Sequence, residues 1–351
     1  MMNWTTTPSK ELDIKAENEA KTHQSQLTKP AGSLGQLETI ATRLAAMQST
    51  PYPRIEAPHI TIFAADHGIA SEGVSAFPQV VTGEMIHNFA RGGAAINVLA
   101  KAQNATLTVV NCGTIHPIEP LNDVVSAIIA AGTDNFLHAA AMSAEQCAQA
   151  LAIGKHAVDS AIAQGADIFI AGEMGIANTT SATAIACALL NRPASNLVGK
   201  GTGINETMLI HKTHIIEQAL RFHKSALISP LSILQHLGGF EIAAMTGAYL
   251  TCAKAGIPVI IDGFISCAAA LVAIKHQPDT QNWMIFSHTS AEEGHALLIR
   301  ALNATPLLNL GMRLGEGSGA ATALGLIKLA CDLHNTMATF AQAGVSDNSV
   351  I

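Results

Sequence analysis

The chain has 351 residues, 49% of them hydrophobic and only 13% charged, which is enough for a large buried α/β domain plus a smaller appendage. A net charge of −7 with histidines neutral, and no run of Lys and Arg, argues against nucleic acid as a partner; an anionic substrate must be drawn in by local donors. The first twenty residues lack the apolar stretch of a signal peptide, and no apolar run reaches the roughly 18–20 residues of a membrane span, so a soluble cytoplasmic protein is expected.

In chain order, residues 10–50 carry no strand signal and read as helices around the turn TKPAGSLGQLE (28–38). HITIFAAD (59–66), ATLTVVNCG (105–113), ADIFIAGEMG (166–175), IPVIIDGF (257–264) and NWMIFSHTS (282–290) each read as a short buried strand closed by Gly, Asp, Glu or Ser. Helical segments are expected between them, over roughly 80–103, 143–164, 205–222, 240–255, 264–275 and 290–302, with a last one over about 317–342. This alternation predicts a doubly wound, mostly parallel sheet with helices on both faces, and ligands beyond the carboxyl ends of the strands. Asp66, Glu173, Asp262, Ser287 and Ser290 fall at those ends. The two helical termini are expected to pack together as a small domain.

The six cysteines form no Cys-x-x-Cys pair and sit mostly in apolar helical sequence, so they read as buried free thiols. His288 and His295 lie seven residues apart with no third ligand at a fixed spacing, and His211 and His214 flank Lys212; no metal is expected. Asp66-His67 reads either as an acid–base pair or as a cap that orients its loop. Phe77, Val81 and Met85 repeat every four residues, a spacing that suits either core packing or the wall of an aromatic pocket.

Three later segments carry Gly-rich or cap-rich turns. GEMGIANTTSATA (172–184) ends a strand at Glu173 and opens a helix with Asn178, Thr179, Thr180 and Ser181, an N-terminus suited to a phosphate or ribose hydroxyls. VGKGTGINETMLIHK (198–212) sets Gly199, Gly201 and Gly203 beside Lys200 and Lys212; it fits neither a Walker loop nor a dinucleotide fingerprint and leaves a generic phosphate nest open. MRLGEGSGAATALGLIKLA (312–330) places Glu316 among Gly315, Gly317 and Gly319 at a helix start. The positive end of that helix favours a charged carboxylate by ~0.3–1 kcal/mol, so Glu316 is either an ordinary helix-start residue or a general base.

Together with KPAGSLGQLE, ADHGIASEGVSAFPQVVT, GGFEIAAMTGA, PVIIDGFIS and SHTSAEEGH, these segments resemble the nicotinate-nucleotide:dimethylbenzimidazole phosphoribosyltransferases across nearly the whole chain. The resemblance implies transfer of phosphoribose from nicotinate mononucleotide to 5,6-dimethylbenzimidazole, giving α-ribazole 5′-phosphate and nicotinate, by a homodimer that needs no cofactor. It implies a large domain over 51–319 and a small helical domain from 1–50 with 320–351. By match to the family's motifs, Glu316 is the base that takes a proton from the attacking benzimidazole, and Glu173 is a second carboxylate near ribose or base. The nucleotide falls to Gly175, Ile176, Asn178, Thr179, Thr180, Gly201, Gly203, Lys212, Asp262 and Ser290, and the base to Ser75, Phe77, Val81, Met85 and Leu314. Alternatives are another base or a phenolic acceptor, a nucleotide or N-glycoside hydrolase built on Asp66-His67, and a non-catalytic nucleotide-binding protein.

Overall fold

The computed structural model describes residues 3–346 apart from Lys200, Thr202 and Ile204. The order is α1 (Ile14–Gln26), α2 (Gln36–Gln48), β1 (Pro58–Ala65), α3 (Val80–Ala90), α4 (Ala95–Ala102), β2 (Thr106–Gly113), β3 (Val124–Ser126), α5 (Ala144–Ala163), β4 (Ile168–Met174) and α6 (Asn178–Leu190). It continues with α7 (Glu206–Phe222), α8 (Pro230–Leu237), α9 (Phe240–Ala255), β5 (Val259–Ile261), α10 (Phe264–His276), β6 (Met284–Phe286), α11 (His295–Ala301), α12 (Ser318–Thr336) and α13 (Phe340–Ala343). The six strands form one sheet in the order β3-β2-β1-β4-β5-β6, with parallel pairing throughout. That order reverses direction between β1 and β4, which opens a crevice at their carboxyl ends.

Strand side chains alternate between two cores. Phe63 of β1, Phe169 of β4, Ile261 of β5 and Phe286 of β6 pack on the α5, α6, α9 and α10 side. Their neighbours Ile62, Ile170, Ile260 and Ile285 pack on the side of α2, α3, α4 and α12. Burial on both faces explains why these strands read as continuous apolar runs rather than as alternating ones. On the first face α5 crosses α9 at close range: a Cβ on Gly154 would overlap the Ala244 carbonyl, and one on Gly247 the Leu151 carbonyl.

Five elements depart from the sequence reading. The expected helix over 80–103 is two helices, because the chain breaks at Gly92 and Gly93. The expected helix over 290–302 begins only at His295, since 287–294 spend their polar groups in a loop: Ser290 N–H donates to His295 Nδ1 at 2.8 Å. The terminal helix stops at Thr336, ahead of the short α13. Strand β3 and helix α8 were not anticipated; β3 has three residues with exposed or half-exposed side chains, too short to show a period.

The two chain ends meet. Gln24 Nε2 lies 2.8 Å from His334 Nδ1, His23 Nε2 lies 2.9 Å from the His334 carbonyl, and Leu27 bridges Thr339 in antiparallel fashion. Leu44 and Met47 of α2 share a core with Ile327 and Ala330 of α12 and with the sheet residues Ile60 and Ile62. All six cysteines are free and buried. Gly154→Ala should lower stability by about 1–3 kcal/mol, since the added methyl forces α5 off α9; a chemical-denaturation midpoint equal to wild type would contradict this crossing.

Candidate active site

The crevice is built where two distant backbone segments touch. Gly172, in β4, lies against the loop that enters α12: a Cβ there would fall 2.6 Å from both the carbonyl carbon and the carbonyl oxygen of Glu316. A Cβ on Gly315 would collide with the Glu173 carboxylate, and one on Gly317 would come 3.3 Å from the Gly172 Cα. Gly315, Glu316 and Gly317 all take left-handed backbone, at φ 88°, 61° and 73°. For Glu316, which has a Cβ, that conformation costs about 1–2 kcal/mol, strain of the kind that collects at functional sites. The glycines around Glu316 are there so that its loop can lie on β4, with the Gly315 backbone and the Glu316 N–H against the Glu173 carboxylate.

The helix start does not serve Glu316 as the sequence suggested. The first N–H groups of α12 go to Asp262 at the end of β5, whose Oδ1 accepts from Ala320 N–H at 2.8 Å and whose carboxylate also takes the Gly319 N–H. Glu316 accepts instead from the Ile96 N–H, in the first turn of α4. Burial outweighs that bond and, with Asp262 nearby, raises the Glu316 pKa above the ordinary carboxylate value. Its Oε2 is buried without a hydrogen-bond partner among the described residues. Such an atom is costly to leave unmet and is a ready acceptor for a ligand N–H.

Glu173 is likewise buried, and burial pushes its pKa up to about 8 despite hydrogen bonds from the Asn178 amide and the Glu316 N–H. Glu241 and Asp262 push in the same direction. Asp262 is raised by burial and is restrained by His288, whose Nδ1 lies 3.8 Å from Oδ1. Burial lowers His295 to about 4; its Nδ1 accepts from Ser290 N–H and its Nε2 lies 3.3 Å from Cys267 Sγ.

The turn from β4 into α6 forms one end of the crevice. Ala177 caps the helix at φ 76°, and Gly175 lies so close to the Ala65 carbonyl that no side chain fits. Thr179 Oγ1 accepts from Lys212 Nζ at 2.9 Å, and a Cβ on Gly201 would come 3.1 Å from that hydroxyl. Lys212 is buried, which lowers its pKa to about 8, while Glu292 acts to raise it. Gly201 is held from both sides: its N–H reaches Glu292 Oε2 at 3.3 Å, and its carbonyl accepts from Arg313 Nη1 at 3.1 Å. Lys200, which the sequence singled out, lies outside the described residues.

These elements enclose a cleft of ≈ 620 Å³. Of the residues expected from the sequence, Glu173, Gly175, Ile176, Asn178, Thr179, Gly201, Asp262, Ser290, Glu316, Phe77, Val81, Met85 and Leu314 line it. Lys212 reaches it through Thr179, whereas Thr180 is wholly buried beneath the turn. Ser75 accepts from Phe77 N–H at 3.3 Å and shapes the loop; Gly203, at φ 106°, lies off the wall. Phe77 and Leu314 are 50% and 59% exposed, an apolar shelf that a ligand would cover. Asp66 and His67 are buried off the cleft, and Asp66 Oδ2 accepts from Ile115 N–H at 2.9 Å, so Asp66 orients its loop.

Arg313, Glu292, His288 and the start of α10 (Phe264, Ile265, Ser266) also line the cleft and were not on the expected list. Arg313 and Glu292 stand inside the quoted segments MRLGEG and SHTSAEEGH, where a charged side chain beside a glycine turn was the available signal. No cluster of three or more His, Cys, Asp or Glu poised for a metal occurs among the described residues, and no described helix is long and apolar enough to cross a membrane.

A six-stranded parallel sheet with a carboxylate-lined cleft at its switch point defines an α/β enzyme with room for a nucleotide-sized ligand. A family model described as phosphoribosyltransferase matches residues 9–345. The chain is 53% identical over 345 residues to the nicotinate-nucleotide–dimethylbenzimidazole phosphoribosyltransferase of Pseudomonas syringae pv. syringae, covering 98% of each. It is 51% identical over 346 residues to that of Pseudomonas aeruginosa, covering 99% of each. It superposes on the crystal structure of CobT from Thermus thermophilus with a TM-score of 0.91 at 40% identity, covering 95% of this chain and 100% of that one. The chain belongs to the nicotinate-nucleotide–dimethylbenzimidazole phosphoribosyltransferase family.

The buried Glu173 gives a signed pH effect. Folded Glu173 keeps its proton up to about pH 8, whereas an unfolded glutamate releases it near its ordinary value of 4.5. Between those values the native state binds the extra proton, so this residue's contribution to stability falls as pH rises. Glu173→Gln should therefore gain melting temperature relative to wild type from pH 5 to pH 8. A constant difference across that window would rule out a buried, proton-holding Glu173.

Proposed function

We propose that this protein transfers the phosphoribosyl group of nicotinate mononucleotide to 5,6-dimethylbenzimidazole, releasing nicotinate and α-ribazole 5′-phosphate. The observation that carries the reading is the unpartnered, buried Oε2 of Glu316 in a cleft with an apolar shelf at one end and the α6 turn with Lys212 at the other. Family membership supplies the two substrates.

The bare ring nitrogen of the benzimidazole attacks the ribose anomeric carbon as the bond to the pyridine nitrogen breaks. That bonding pair returns to the nicotinate ring and neutralises its positive charge. Attack from the face opposite the leaving group turns a β linkage into an α linkage. Positive charge then develops on the benzimidazole and acidifies its second nitrogen, whose proton passes to Glu316. General-base help of this kind contributes ~10²–10⁴-fold. A raised pKa makes Glu316 a stronger base than a solvated carboxylate, provided that it is ionised at the working pH.

Glu173 plays a different part in this scheme. Holding its proton until about pH 8, it acts at neutral pH as an acid group held by Asn178, beside the ribose, rather than as a second anion. The phosphate takes the first turn of α6 and the ammonium of Lys212, a helix N-terminus plus a buried cation. The flat base rests on Phe77, Val81, Met85 and Leu314. An apolar shelf discriminates one methyl group by only ~1–3 kcal/mol, which favours acceptance of related bases. The hydrolase alternative loses its residues, because Asp66 and His67 are buried and do not line the cleft. The same reading makes the protein a homodimer of the cytoplasm and keeps residues 1–50 with 320–351 as a small helical domain, supported by the contacts of α1 and α2 with α12.

Nicotinate release measured with and without dimethylbenzimidazole tests the reaction class: transfer requires the base, and release at equal rates without it would mean hydrolysis. Glu316→Gln should bind nicotinate mononucleotide almost normally and lose roughly 10²-fold or more in turnover; wild-type kcat in that variant would remove Glu316 as the base. Lys212→Ala should raise the KM for nucleotide and leave that for the base nearly unchanged, and equal losses for both would end its phosphate role.

A further inference from the structure

One buried polar chain has no part in the scheme above. His67, after β1, and Glu241, in the first turn of α9, are both 0% exposed, with Nε2 and Oε1 2.6 Å apart. On its other side His67 Nδ1 lies 2.9 Å from Ser181 Oγ, in the first turn of α6. With Nε2–H donating to the carboxylate, Nδ1 is left to accept the serine hydroxyl. A serine, a histidine and a glutamate in that order resemble the machinery of a nucleophilic hydrolase. Here Ser181 is wholly buried and does not line the cleft, so its hydroxyl meets no substrate.

What the chain does touch is the underside of the 175–181 turn. A Cβ on Gly175 would come 3.3 Å from Glu241 Oε1 and equally close to His67 Cδ2, so the turn rests directly on the pair. The turn needs support, because Ala177 sits in left-handed backbone at φ 76°, a region that residues with a Cβ enter only when the surroundings hold them there. The same seat is tied to the base side of the cleft: the His67 carbonyl accepts from Gln79 Nε2 at 2.8 Å, and Ile176 N–H donates to Thr82 Oγ1 at 3.1 Å. Glu241 Oε2 is buried without a hydrogen-bond partner among the described residues. A buried polar pair that leaves one oxygen unmet is a poor way to stabilise a core, since well-packed apolar residues do as well or better. Its yield is orientation.

We propose that His67 and Glu241 are positioning residues for the phosphate end of the donor nucleotide. They act through Ser181 and Gly175 to hold the first turn of α6 in its ligand-binding orientation. The inference rests on the assignment of the phosphate to that turn.

The test compares Glu241→Gln, Ser181→Ala and the double variant, with nicotinate mononucleotide binding read by calorimetry and KM read for both substrates. Glu241→Gln should weaken nucleotide binding by roughly tenfold, and Ser181→Ala by several-fold, with the KM for the base within about twofold of wild type. Because the two side chains work as one chain through His67, the double variant should bind nucleotide no worse than the weaker single variant. Ser181→Ala removes only a hydroxyl, so it keeps the comparison open if Glu241→Gln fails to fold. Unchanged nucleotide affinity in Ser181→Ala, or an equal rise in both KM values, would overturn the positioning role. Failure of the wild type to transfer phosphoribose would count instead against the functional reading, because nucleotide affinity is measured without turnover.

Discussion

The contact between Gly172 of β4 and the Gly315-Glu316-Gly317 loop is the constraint on which the cleft depends. A strand of the central sheet and the entry to α12 meet backbone to backbone, at a separation that leaves no room for a Cβ on Gly172 and brings one on Gly317 to 3.3 Å from the Gly172 Cα. The contact places Glu316 beside Glu173, turns the N-terminus of α12 toward Asp262, and forces three consecutive residues into left-handed backbone. Sheet topology supplies the position, since β1 and β4 diverge at the switch point, and the glycines supply the proximity. Moving the loop outward by the radius of a methyl group would pull the Glu316 N–H off the Glu173 carboxylate.

Electrostatics in the cleft follow from burial more than from helix ends. Among the described residues on its wall are four acidic side chains, Glu173, Asp262, Glu292 and Glu316, and one Arg or Lys side chain, Arg313. Each acidic group has a different partner: Asp262 takes the N–H groups of α12, Glu292 the Gly201 N–H, Glu173 the Asn178 amide, and Glu316 the Ile96 N–H. Desolvation still raises Glu173, Asp262 and Glu316. Glu173, pushed up to about 8, holds its proton at neutral pH, which leaves Glu316 as the proton acceptor of the proposed reaction.

Much of the architecture was legible because buried strands and Gly-capped turns leave strong local marks. The runs at β1, β2 and β4 are long, apolar and β-branched, and each appears where expected. β3 carries no legible signal because three exposed or half-exposed edge residues show no period, and the split between α3 and α4 falls at Gly92-Gly93, inside a segment whose composition is otherwise helical. At the site, Glu316, Glu173 and the 175–179 turn could be located because their motifs are unusual. The Ile96 N–H could not, since a backbone donor leaves no trace in side-chain identity, and neither could the meeting of Gly172 with Glu316 and Gly317, which is a fact of tertiary packing. The helix-start argument assigned the positive end of α12 to the nearest acid in sequence, whereas the fold gives it to Asp262 from β5.

The most direct measurement is the crystal structure of this enzyme with 5,6-dimethylbenzimidazole bound. The account predicts a base lying on Phe77, Val81, Met85 and Leu314 with one ring N–H about 2.6–3.2 Å from Glu316 Oε2 and the other nitrogen facing the α6 turn. A base seated with neither nitrogen within about 4 Å of Glu316, in a complex competent for turnover in the crystal, would contradict it.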